Sequence, residues 1–342
     1  MQTNNKAILL VNLGSPNSCE VSDVKKYLNE FLMDERVIDI KNPWRTILVK
    51  GIIVPFRAAK SAAKYKTIWT ENGSPLIQIT KELSQAVQKE IGLPTYMCMR
   101  YANPTPESVL KKMQQDLPNL QEVIMLPLYP HYAMSSFETA VEHVMNAYHK
   151  NNFSFKIKTV APFYNHPDYI NALAESIKPY LSQKYDHVLF SYHGIPERHI
   201  RKSDTTQSHC LSCENCCEIE SKAHAHCYRH QVFETTKLVT ENLNLPKDKF
   251  SISFQSRLND KWLKPFTDKV LEDFPNQGIK KILVISPAFV SDCLETLEEI
   301  QVEAKEIFLH HGGEKYTATD CLNTKPLWVK TVCNLINETS SN

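Results

Sequence analysis

Eight short runs of β-branched and apolar residues recur along this chain, separated by longer stretches with a helical pattern. Such runs are typical of strands in a parallel sheet whose crossover connections are helices. The sequence therefore predicts an α/β fold. The predicted strands lie within residues 7–16, 95–102, 122–130, 155–163, 187–196, 251–257, 281–289 and 315–323.

The runs form two sets of four with similar spacing. The second and third runs begin at residues 95 and 122 in the first set and at 251 and 281 in the second. We therefore expect two similar domains, 1–164 and 165–342, each a four-stranded parallel sheet with flanking helices. Ligands of open parallel sheets bind outside the carboxyl ends of the strands, which predicts a functional cleft between the domains. A last apolar helix, 326–337, is expected to pack back on the first domain.

Composition excludes several classes of function. The 342 residues, 42% of them hydrophobic, are enough for two α/β domains. The net charge of +1 makes nucleic acid an unexpected partner, because binding a phosphate backbone normally needs an excess of Lys and Arg. Neither GxGxxG nor GxxxxGK(S/T) occurs, so no nucleotide site is predicted. No apolar run approaches the roughly 18 residues of a transmembrane helix, and the amino terminus resembles a strand more than a signal peptide.

These features predict a cytoplasmic protein with reduced thiols. One segment of the first domain, 41–70, carries seven Lys and Arg side chains and no Asp or Glu. Two interpretations stay open for this segment. It is either a solvated basic helix with a core-facing apolar side, or a surface for an anionic partner. Such a partner would be a ligand with carboxylates on an apolar body, or a membrane.

Two polar signals follow predicted strands of the second domain. His193 comes directly after a strand in SYHGIPERH, where its side chain is expected to point into the cleft. In SDCLETLEEI the spacing predicts Asp292, Glu295 and Glu299 on one face of a helix. A single histidine is commonly structural, and a row of acids is commonly a solvated helix face. The functional alternative is a site that binds a cation or relays protons.

Four cysteines lie within the eight residues CLSCENCC, 210–217, and Cys227 follows. Their C-x2-C-x2-C spacing lets thiolates converge on one soft metal. Disulfides are not expected in a reducing compartment. The other cysteines are scattered and are predicted to be ordinary reduced thiols; they are Cys19, Cys98, Cys293, Cys321 and Cys333.

Taken in order, eight motifs resemble the motif series of the ferrochelatases, enzymes that insert ferrous iron into a porphyrin. They are VNLGSP, FLMDERVIDI, NGSPL, MRYANP, LPLYPHY, SYHGIP, FQSRLNDKWLKPFTD and SDCLETLEEI. The resemblance extends from about residue 7 to residue 325. It implies two Rossmann-like domains of the chelatase type, with a porphyrin cleft between them. The implied reaction is insertion of Fe2+ into protoporphyrin IX, which yields protohaem and two protons.

The resemblance also assigns roles to residues. Metallation removes two pyrrole protons while Fe2+ enters, so it needs an uncharged base and a carboxylate-lined route. By resemblance His193 and Glu295 are the catalytic pair that meets the substrate iron, and His193 acts either as iron ligand or as proton acceptor. Asp292 and Glu299 would continue an acidic relay. The implied porphyrin-binding positions are Arg57, Tyr65, Ser74, Arg100, Tyr101 and Tyr132.

Two positions bear on what the resemblance implies. Cys293 stands where many relatives carry a second histidine, so a histidine there cannot be essential for this chain. Relatives that use coproporphyrin carry a tyrosine where this chain has Leu13, which favours protoporphyrin IX.

The family usually has a short Gly-Asp-Pro-Tyr stretch where this chain carries the insert 205–227. In certain bacterial ferrochelatases, four cysteines of an internal segment hold a 2Fe-2S cluster. The resemblance implies such a cluster here on Cys210, Cys213, Cys217 and Cys227. Cys216 is an alternative ligand, because two adjacent cysteines cannot easily both face one cluster. A structural Zn2+ with His209, His224 or His226 among its ligands is the alternative occupant.

Two other functions are weighed against a protoporphyrin ferrochelatase. One is a ferrochelatase for coproporphyrin III, and the other is a non-catalytic haem or iron sensor that uses the insert. The joint presence of His193 and Glu295 favours an enzyme, because a sensor would need neither. The predicted partners are the porphyrin, Fe2+ and a membrane surface contacted peripherally.

Overall fold

The computed structural model describes residues 5–341 and divides into two compact units. The first unit comprises the described chain up to Leu128, with Met134–Ala161 and the residues from Asn323 onward. The second unit comprises Tyr129–Ala133 and Pro162–Leu322. The division therefore returns the last segment of the chain to the first unit and gives a short loop, Tyr129–Ala133, to the second.

Each unit has a four-stranded parallel sheet, with the order β2-β1-β3-β4 in the first and β6-β5-β7-β8 in the second. The strands are β1 (Lys6–Asn12), β2 (Thr95–Met99), β3 (Glu122–Pro127), β4 (Lys156–Thr159), β5 (His187–His193), β6 (Phe250–Gln255), β7 (Lys281–Ile285) and β8 (Lys315–Ala318). The predicted α/β class with two four-stranded parallel sheets is confirmed. The same order recurs in both units, so the first strand of each set is central.

The central strands explain why the sequence shows continuous apolar runs. Ala7–Val11 of β1 are fully buried, as are Leu189 and Phe190 of β5. A parallel sheet is covered by helices on both faces, so alternate residues of a central strand cannot be polar. Ile8 lies opposite Thr95 on one side and Ile124 on the other, which sets the register of the first sheet.

Helices cover both sheets. The α-helices are α1 (Val21–Leu32), α2 (Trp44–Thr46), α3 (Val54–Ile68), α4 (Pro75–Ile91), α5 (Pro106–Asp116), α6 (Thr139–Lys150), α7 (Pro167–Leu181), α8 (Glu197–Ser203), α9 (Tyr228–Asn242), α10 (Thr267–Asp273), α11 (Ala304–His310) and α12 (Pro326–Ser341). Their ends follow local signals. Thr105 caps α5 by accepting from the Ser108 amide. Pro75 begins α4, and Gly92, the residue after its last turn, terminates it in a left-handed conformation.

The last helix, α12, includes the apolar stretch 326–337 and packs against α4 of the first unit. Near its end, Lys6 Nζ donates to the Ser340 hydroxyl at 2.8 Å. This contact joins the carboxyl-terminal helix to the first strand. Among residues 5–341, none of the helices combines the length and apolar character needed to cross a membrane.

Within the described part of the chain, three helical segments have π geometry: Ile47–Ile53, Met134–Glu138 and Glu295–Glu303. In the third, the amide of Ala304 bonds to the carbonyl of Glu299, five residues earlier. Such wide turns are uncommon and occur frequently at functional sites. The helix predicted after β7 therefore begins at Leu294. From Glu295 onward, its acidic part has π rather than α geometry.

Candidate active site

The carboxyl ends of three adjacent strands collect the predicted catalytic residues of the second unit. His193 ends β5 and lies opposite Gln255, the last residue of β6. β5 pairs in parallel with β7 on its other side. The segments that follow these strands, which begin at Gly194, Ser256 and Ser286, therefore leave from one edge of the sheet, where ligands of open α/β sheets bind.

The ring of His193 has a defined tautomer. Its Nδ1 lies 2.6 Å from the carbonyl oxygen of Gly194. A carbonyl oxygen only accepts, so Nδ1 is the donor and the lone pair of the neutral ring resides on Nε2. The ring also faces Phe289, with 6.4 Å between ring centroids, so the loop after β7 reaches the histidine.

Gly194 lets this turn approach β6 closely. A Cβ at this position would lie 2.9 Å from the carbonyl oxygen of Gln255 and 3.4 Å from the Trp262 ring. The Gly194 amide donates to that same Gln255 carbonyl at 2.8 Å. The position after His193 in SYHGIP therefore has no room for a side chain, because any side chain would push His193 away from the neighbouring strand.

Glu295 begins the π-helix, and its side chain interacts with Cys293. The Cys293 thiol is buried, and burial is the main reason why its pKa lies well above the usual range. The negative charge of Glu295 and a hydrogen bond to it raise that pKa further. Cys293 therefore stays a neutral thiol that donates to the carboxylate and holds its position.

Asp292 does not share a helix face with Glu295, and this prediction is wrong. Asp292 precedes the helix, is buried, and accepts a hydrogen bond from the Thr296 hydroxyl at 2.9 Å. The Cys321 amide, from the segment after β8, donates to the same oxygen at 3.4 Å. The carboxylate is turned toward the protein because these donors satisfy it there.

Glu299, one step further along the π-helix, contacts the segment after β6. Its carboxylate accepts from the Ser256 hydroxyl. Beside this contact lies a cavity of about 330 Å3, whose polar wall includes Arg257, Asp268 and Glu303. Arg257 is paired with Asp268 at 2.7 Å. Glu299 and Glu303 of the π-helix therefore line a polar cavity of this unit.

The implied porphyrin residues of the first unit differ in accessibility. Arg57 is exposed on α3. Tyr65, from the same helix, is buried and packs edge-on against Tyr27 and Trp69. Ser74 is buried as the residue that precedes α4. Of these three residues, only Arg57 presents its side chain openly to solvent.

Arg100 and Tyr101 are brought together by an acid that the sequence did not single out. Asp34 accepts from the Arg100 guanidinium at 2.6 Å, from the Tyr101 hydroxyl at 2.8 Å and from Thr139. Tyr101 itself is fully buried. The only sequence signal was the position of Asp34 within FLMDERVIDI, a motif quoted for the family resemblance. Buried acids are rare unless paired, which makes this cluster a structural anchor for Arg100.

The pKa of Asp34 is lowered although burial works to raise it. Hydrogen bonds from Thr139 and from the Arg36 amide outweigh burial, with further help from the charge of Arg100. Asp34 is therefore ionised in the folded chain.

Comparison with known proteins decides the family. The ferrochelatase family model matches residues 5–340. The chain belongs to the ferrochelatase family. It is 48% identical to the ferrochelatase of Opitutus terrae over 336 residues, which is 97% of each chain. It is 43% identical to the ferrochelatase of Pseudomonas syringae pv. tomato over 326 residues, 95% of each chain. The predicted family is confirmed, and membership makes the chain a metal chelatase with iron and a porphyrin as substrates.

A solved structure shows the same fold. SirB from Bacillus subtilis, described with Fe3+, superposes with a TM-score of 0.57 and 14% sequence identity, covering 99% of this chain and 96% of SirB. At that identity the likeness shows the chelatase-like fold of this ferrochelatase family member and nothing about its substrate.

The ferrochelatase chain also carries its cysteine segment in the second unit. Cys210, Cys217 and Cys227 lie in hydrogen-bond contact, with Cys227 bonded to both of the others. Because the Cys217 thiol donates to Cys227, the pKa of Cys227 is lowered and that of Cys217 is raised. Across residues 5–341, no group of three or more His, Cys, Asp or Glu side chains is already arranged to hold a metal ion.

The two remaining cysteines of the segment differ. Cys216 is buried, and its sulfur accepts from the Leu211 amide at 3.3 Å and from the Arg229 guanidinium at 3.6 Å. Cys213, by contrast, is exposed. All ten cysteines are free thiols.

Asp204 shapes the start of the segment. Its carboxylate is buried and accepts from the amides of Thr206, His209 and Cys210, each at 2.8 Å. These hydrogen bonds, with one from the Thr206 hydroxyl, overcome the effect of burial and lower the pKa of Asp204. The charged carboxylate therefore orders the turn that presents Cys210.

The histidines near the thiols do not point at sulfur. His209 Nε2 and His224 Nε2 lie 2.7 Å and 3.4 Å from the carbonyl oxygen of Cys216. The His226 ring packs edge-on against Tyr132, with 4.8 Å between centroids. In this arrangement the sulfurs are the available soft donors.

Proposed function

We propose that the chain inserts Fe2+ into protoporphyrin IX, forming protohaem and releasing two protons. The observation that carries this proposal is the Nδ1 hydrogen bond of His193 to the Gly194 carbonyl. It leaves Nε2 with a lone pair at the carboxyl edge of the sheet. A neutral imidazole can there accept a pyrrole proton or bind the entering iron.

Glu295 is proposed as the second catalytic group. Its carboxylate, held by the Cys293 thiol, supplies the negative charge that a divalent cation or a departing proton needs. Glu299 extends the acidic route along the π-helix toward the polar cavity. Asp292, buried and bonded to the Thr296 hydroxyl, supports the start of that helix.

Porphyrin binding is proposed for the six residues of the motif series. Exposed Arg57 suits a propionate carboxylate, with which a guanidinium forms charge-assisted hydrogen bonds. Tyr65 and Ser74 of the first unit and Tyr132 of the second are each proposed as porphyrin contacts. Arg100 and Tyr101 are bound to Asp34, so their contribution includes holding the pocket in shape.

Substrate choice is proposed to depend on Leu13, a half-buried apolar residue after β1. An apolar side chain suits the vinyl groups of protoporphyrin IX better than the additional propionates of coproporphyrin III. Leu13→Tyr should shift the ratio of kcat/KM for the two porphyrins toward coproporphyrin. An unchanged ratio would remove Leu13 from specificity.

The test of the reaction is anaerobic insertion of Fe2+ into each porphyrin by the full chain. His193→Ala and Glu295→Gln should lose at least about a hundredfold in kcat with folding intact. The matched controls are His311→Ala and Glu306→Gln, both exposed in the second unit. Failure of the wild type to metallate either porphyrin would refute the proposal, and normal turnover by both active-site variants would refute the roles of these residues.

For the cysteine segment we propose a 2Fe-2S cluster. Two thiols that contact Cys227, with Cys216 buried nearby, supply the type of donor set that such a cluster needs. The proposed ligands are Cys210, Cys217 and Cys227 with either Cys213 or Cys216. A Zn2+ site with His209 or His224 as a ligand is less favoured, because the Nε2 atoms of these histidines face a carbonyl rather than the sulfurs. When bound, the cluster supplies one-electron redox capacity.

The visible spectrum of anaerobically purified protein tests the occupant. Charge-transfer bands with about two irons and two sulfides per chain support the cluster, whereas a colourless protein with one zinc would contradict it. Cys213→Ser and Cys216→Ser identify the fourth ligand, since only one of them should lose the bands. Cys19→Ser, outside the segment, is the matched control.

We further propose a cytoplasmic protein that contacts an anionic membrane surface through residues 41–60. Trp44, Ile47, Ile52 and Phe56 are exposed there, Phe56 by 83%, among Lys41, Lys50, Arg57 and Lys60. Exposed apolar and basic side chains together favour an anionic lipid interface. Phe56→Ser should reduce flotation with phosphatidylglycerol vesicles, while Val302→Ser, also exposed, should not.

A further inference from the structure

The start of α9 touches both the cysteine segment and the catalytic histidine. Cys227, which contacts Cys210 and Cys217, immediately precedes α9, and Tyr228 is the first residue of the helix. The Tyr228 hydroxyl donates to the backbone carbonyl oxygen of His193 at 2.9 Å. A single peptide bond therefore separates a thiol of the segment from a residue bonded to His193.

Tyr228 is held by a buried polar and aromatic wall. The His131 ring packs edge-on against Tyr228 and Tyr192, with centroids 5.9 Å and 5.6 Å away. His131 Nε2 in turn lies 2.9 Å from the hydroxyl of Thr235, which is about two turns after Tyr228 in α9. Tyr228 is buried, so its hydroxyl is shielded from water. The side chain cannot move without displacing this wall.

Gln231, one turn further along α9, makes a second connection. Its Nε2 donates to the carbonyls of His224 at 3.2 Å and Ala225 at 3.0 Å, in the 3-10 turn that precedes Cys227. Its Oε1 accepts from the backbone amide of Tyr132 at 2.7 Å. Gln231 is fully buried, so these hydrogen bonds have no competition from water.

We propose that Tyr228 and Gln231 are positioning residues that transmit metal binding at the cysteines to His193 and Tyr132. The inference rests on the proposed function, in which His193 and Tyr132 serve the porphyrin reaction. Metal bonds to Cys227 and its neighbouring thiols hold the start of α9 in place. Tyr228 then fixes the His193 carbonyl, and Gln231 fixes the Tyr132 amide.

The test measures amide hydrogen exchange by mass spectrometry on the reduced, metal-free full chain, with and without one equivalent of Cd2+. Cd2+ is a soft cation that thiolates bind, and its ultraviolet charge-transfer band reports binding independently. In the wild type, Cd2+ should slow exchange about threefold or more in peptides covering 190–196 and 129–134. Absence of Cd2+ binding, or no slowing in either peptide, would overturn the proposal.

The variants separate the two connections. Tyr228→Phe should bind Cd2+ normally but lose the response of 190–196, and Gln231→Leu should lose the response of 129–134. Tyr148→Phe is the matched control, because the Tyr148 hydroxyl donates to the Phe155 carbonyl in the first unit. If one variant does not fold, the other still decides. A wild-type response in a folded variant at its own peptide would contradict its role.

Turnover supplies an independent readout. Tyr228→Phe should lower kcat for iron insertion about tenfold with the KM for porphyrin changed less than about twofold, the pattern of a misplaced catalytic group. If the wild type metallates no porphyrin, the proposed function fails while the exchange response stands. If the wild type is active but exchange does not respond to Cd2+, the coupling fails and the proposed function stands.

Discussion

The carboxylate of Asp34 lies 2.6 Å from the guanidinium of Arg100, and only 4% and 13% of the two side chains are exposed. Removing one partner leaves the other charge buried without compensation. Asp34→Asn should therefore lower the free energy of unfolding by about 3 kcal/mol, measured by urea denaturation at neutral pH.

The matched control for Asp34 is Glu107→Gln. Glu107 pairs with Lys111 at 2.7 Å on an exposed helix face, where such a pair contributes little. We expect no measurable change in the free energy of unfolding. Equal losses in the two variants would contradict the importance given to the buried cluster.

Gly14 and Gly51 provide a contrast in the first unit. Gly14 has a φ of +101°, and an added Cβ would lie 1.9 Å from the Tyr101 carbonyl oxygen. Gly14→Ala should cost about 3 kcal/mol in unfolding free energy, because a strained backbone and a steric clash add. Gly51, in a helical segment, has no atom within 4 Å of an added Cβ. Gly51→Ala should leave the free energy of unfolding unchanged or raise it by up to about 1 kcal/mol. Similar losses of stability in the Gly14 and Gly51 variants would refute the steric explanation.

His131 should make stability depend on pH. Burial lowers its pKa from 6.5 to about 3. Because the unfolded chain takes up the proton first as pH falls, the contribution of His131 is complete above pH 6.5 and is lost between 6.5 and about 3. The expected slope is up to about 1.4 kcal/mol per pH unit.

Urea unfolding of wild type and His131→Gln between pH 7 and pH 5 measures this slope. The variant should lose stability more slowly than the wild type as pH falls. His311→Gln, which removes an exposed histidine, should keep the wild-type slope. Parallel curves for wild type and His131→Gln would show that His131 is already accessible to protons.

Thr296 ties Asp292 to the first turn of the π-helix. Its hydroxyl donates to the Asp292 carboxylate at 2.9 Å and also contacts the Cys293 amide at 3.0 Å. Thr296→Val should cost about 2 kcal/mol, because the buried Asp292 carboxylate loses one of its donors and the Cys293 amide loses its acceptor. It should also lower kcat for iron insertion, since Glu295 lies directly before Thr296 in the same turn. Thr331→Val, which removes the hydrogen bond from the Thr331 hydroxyl to the Leu327 carbonyl within α12, should leave kcat unchanged.

Local patterns in the sequence predicted the strands and the family. The central strand β1, KAILLVN, is apolar because helices cover both faces of its sheet, and a covered strand must show this in its own residues. His193 could be placed because it lies at the carboxyl end of a strand of the same kind, β5. The cysteine segment was recognisable because its ligand spacing is local.

Tertiary structure decided the pairings. Asp34 meets Arg100 from 66 residues away, and no periodicity reports which acid will be buried beside which base. Residues three and four apart fit α and π geometry alike, so the sequence could not show that the acidic helix is wide or that Asp292 precedes it. The Tyr228 hydroxyl reaches the His193 carbonyl across 35 positions. Sequence by itself determined the elements and the types of chemical group, because these depend on neighbouring residues. Only folding decided which groups touch, because long-range contacts depend on how the elements pack.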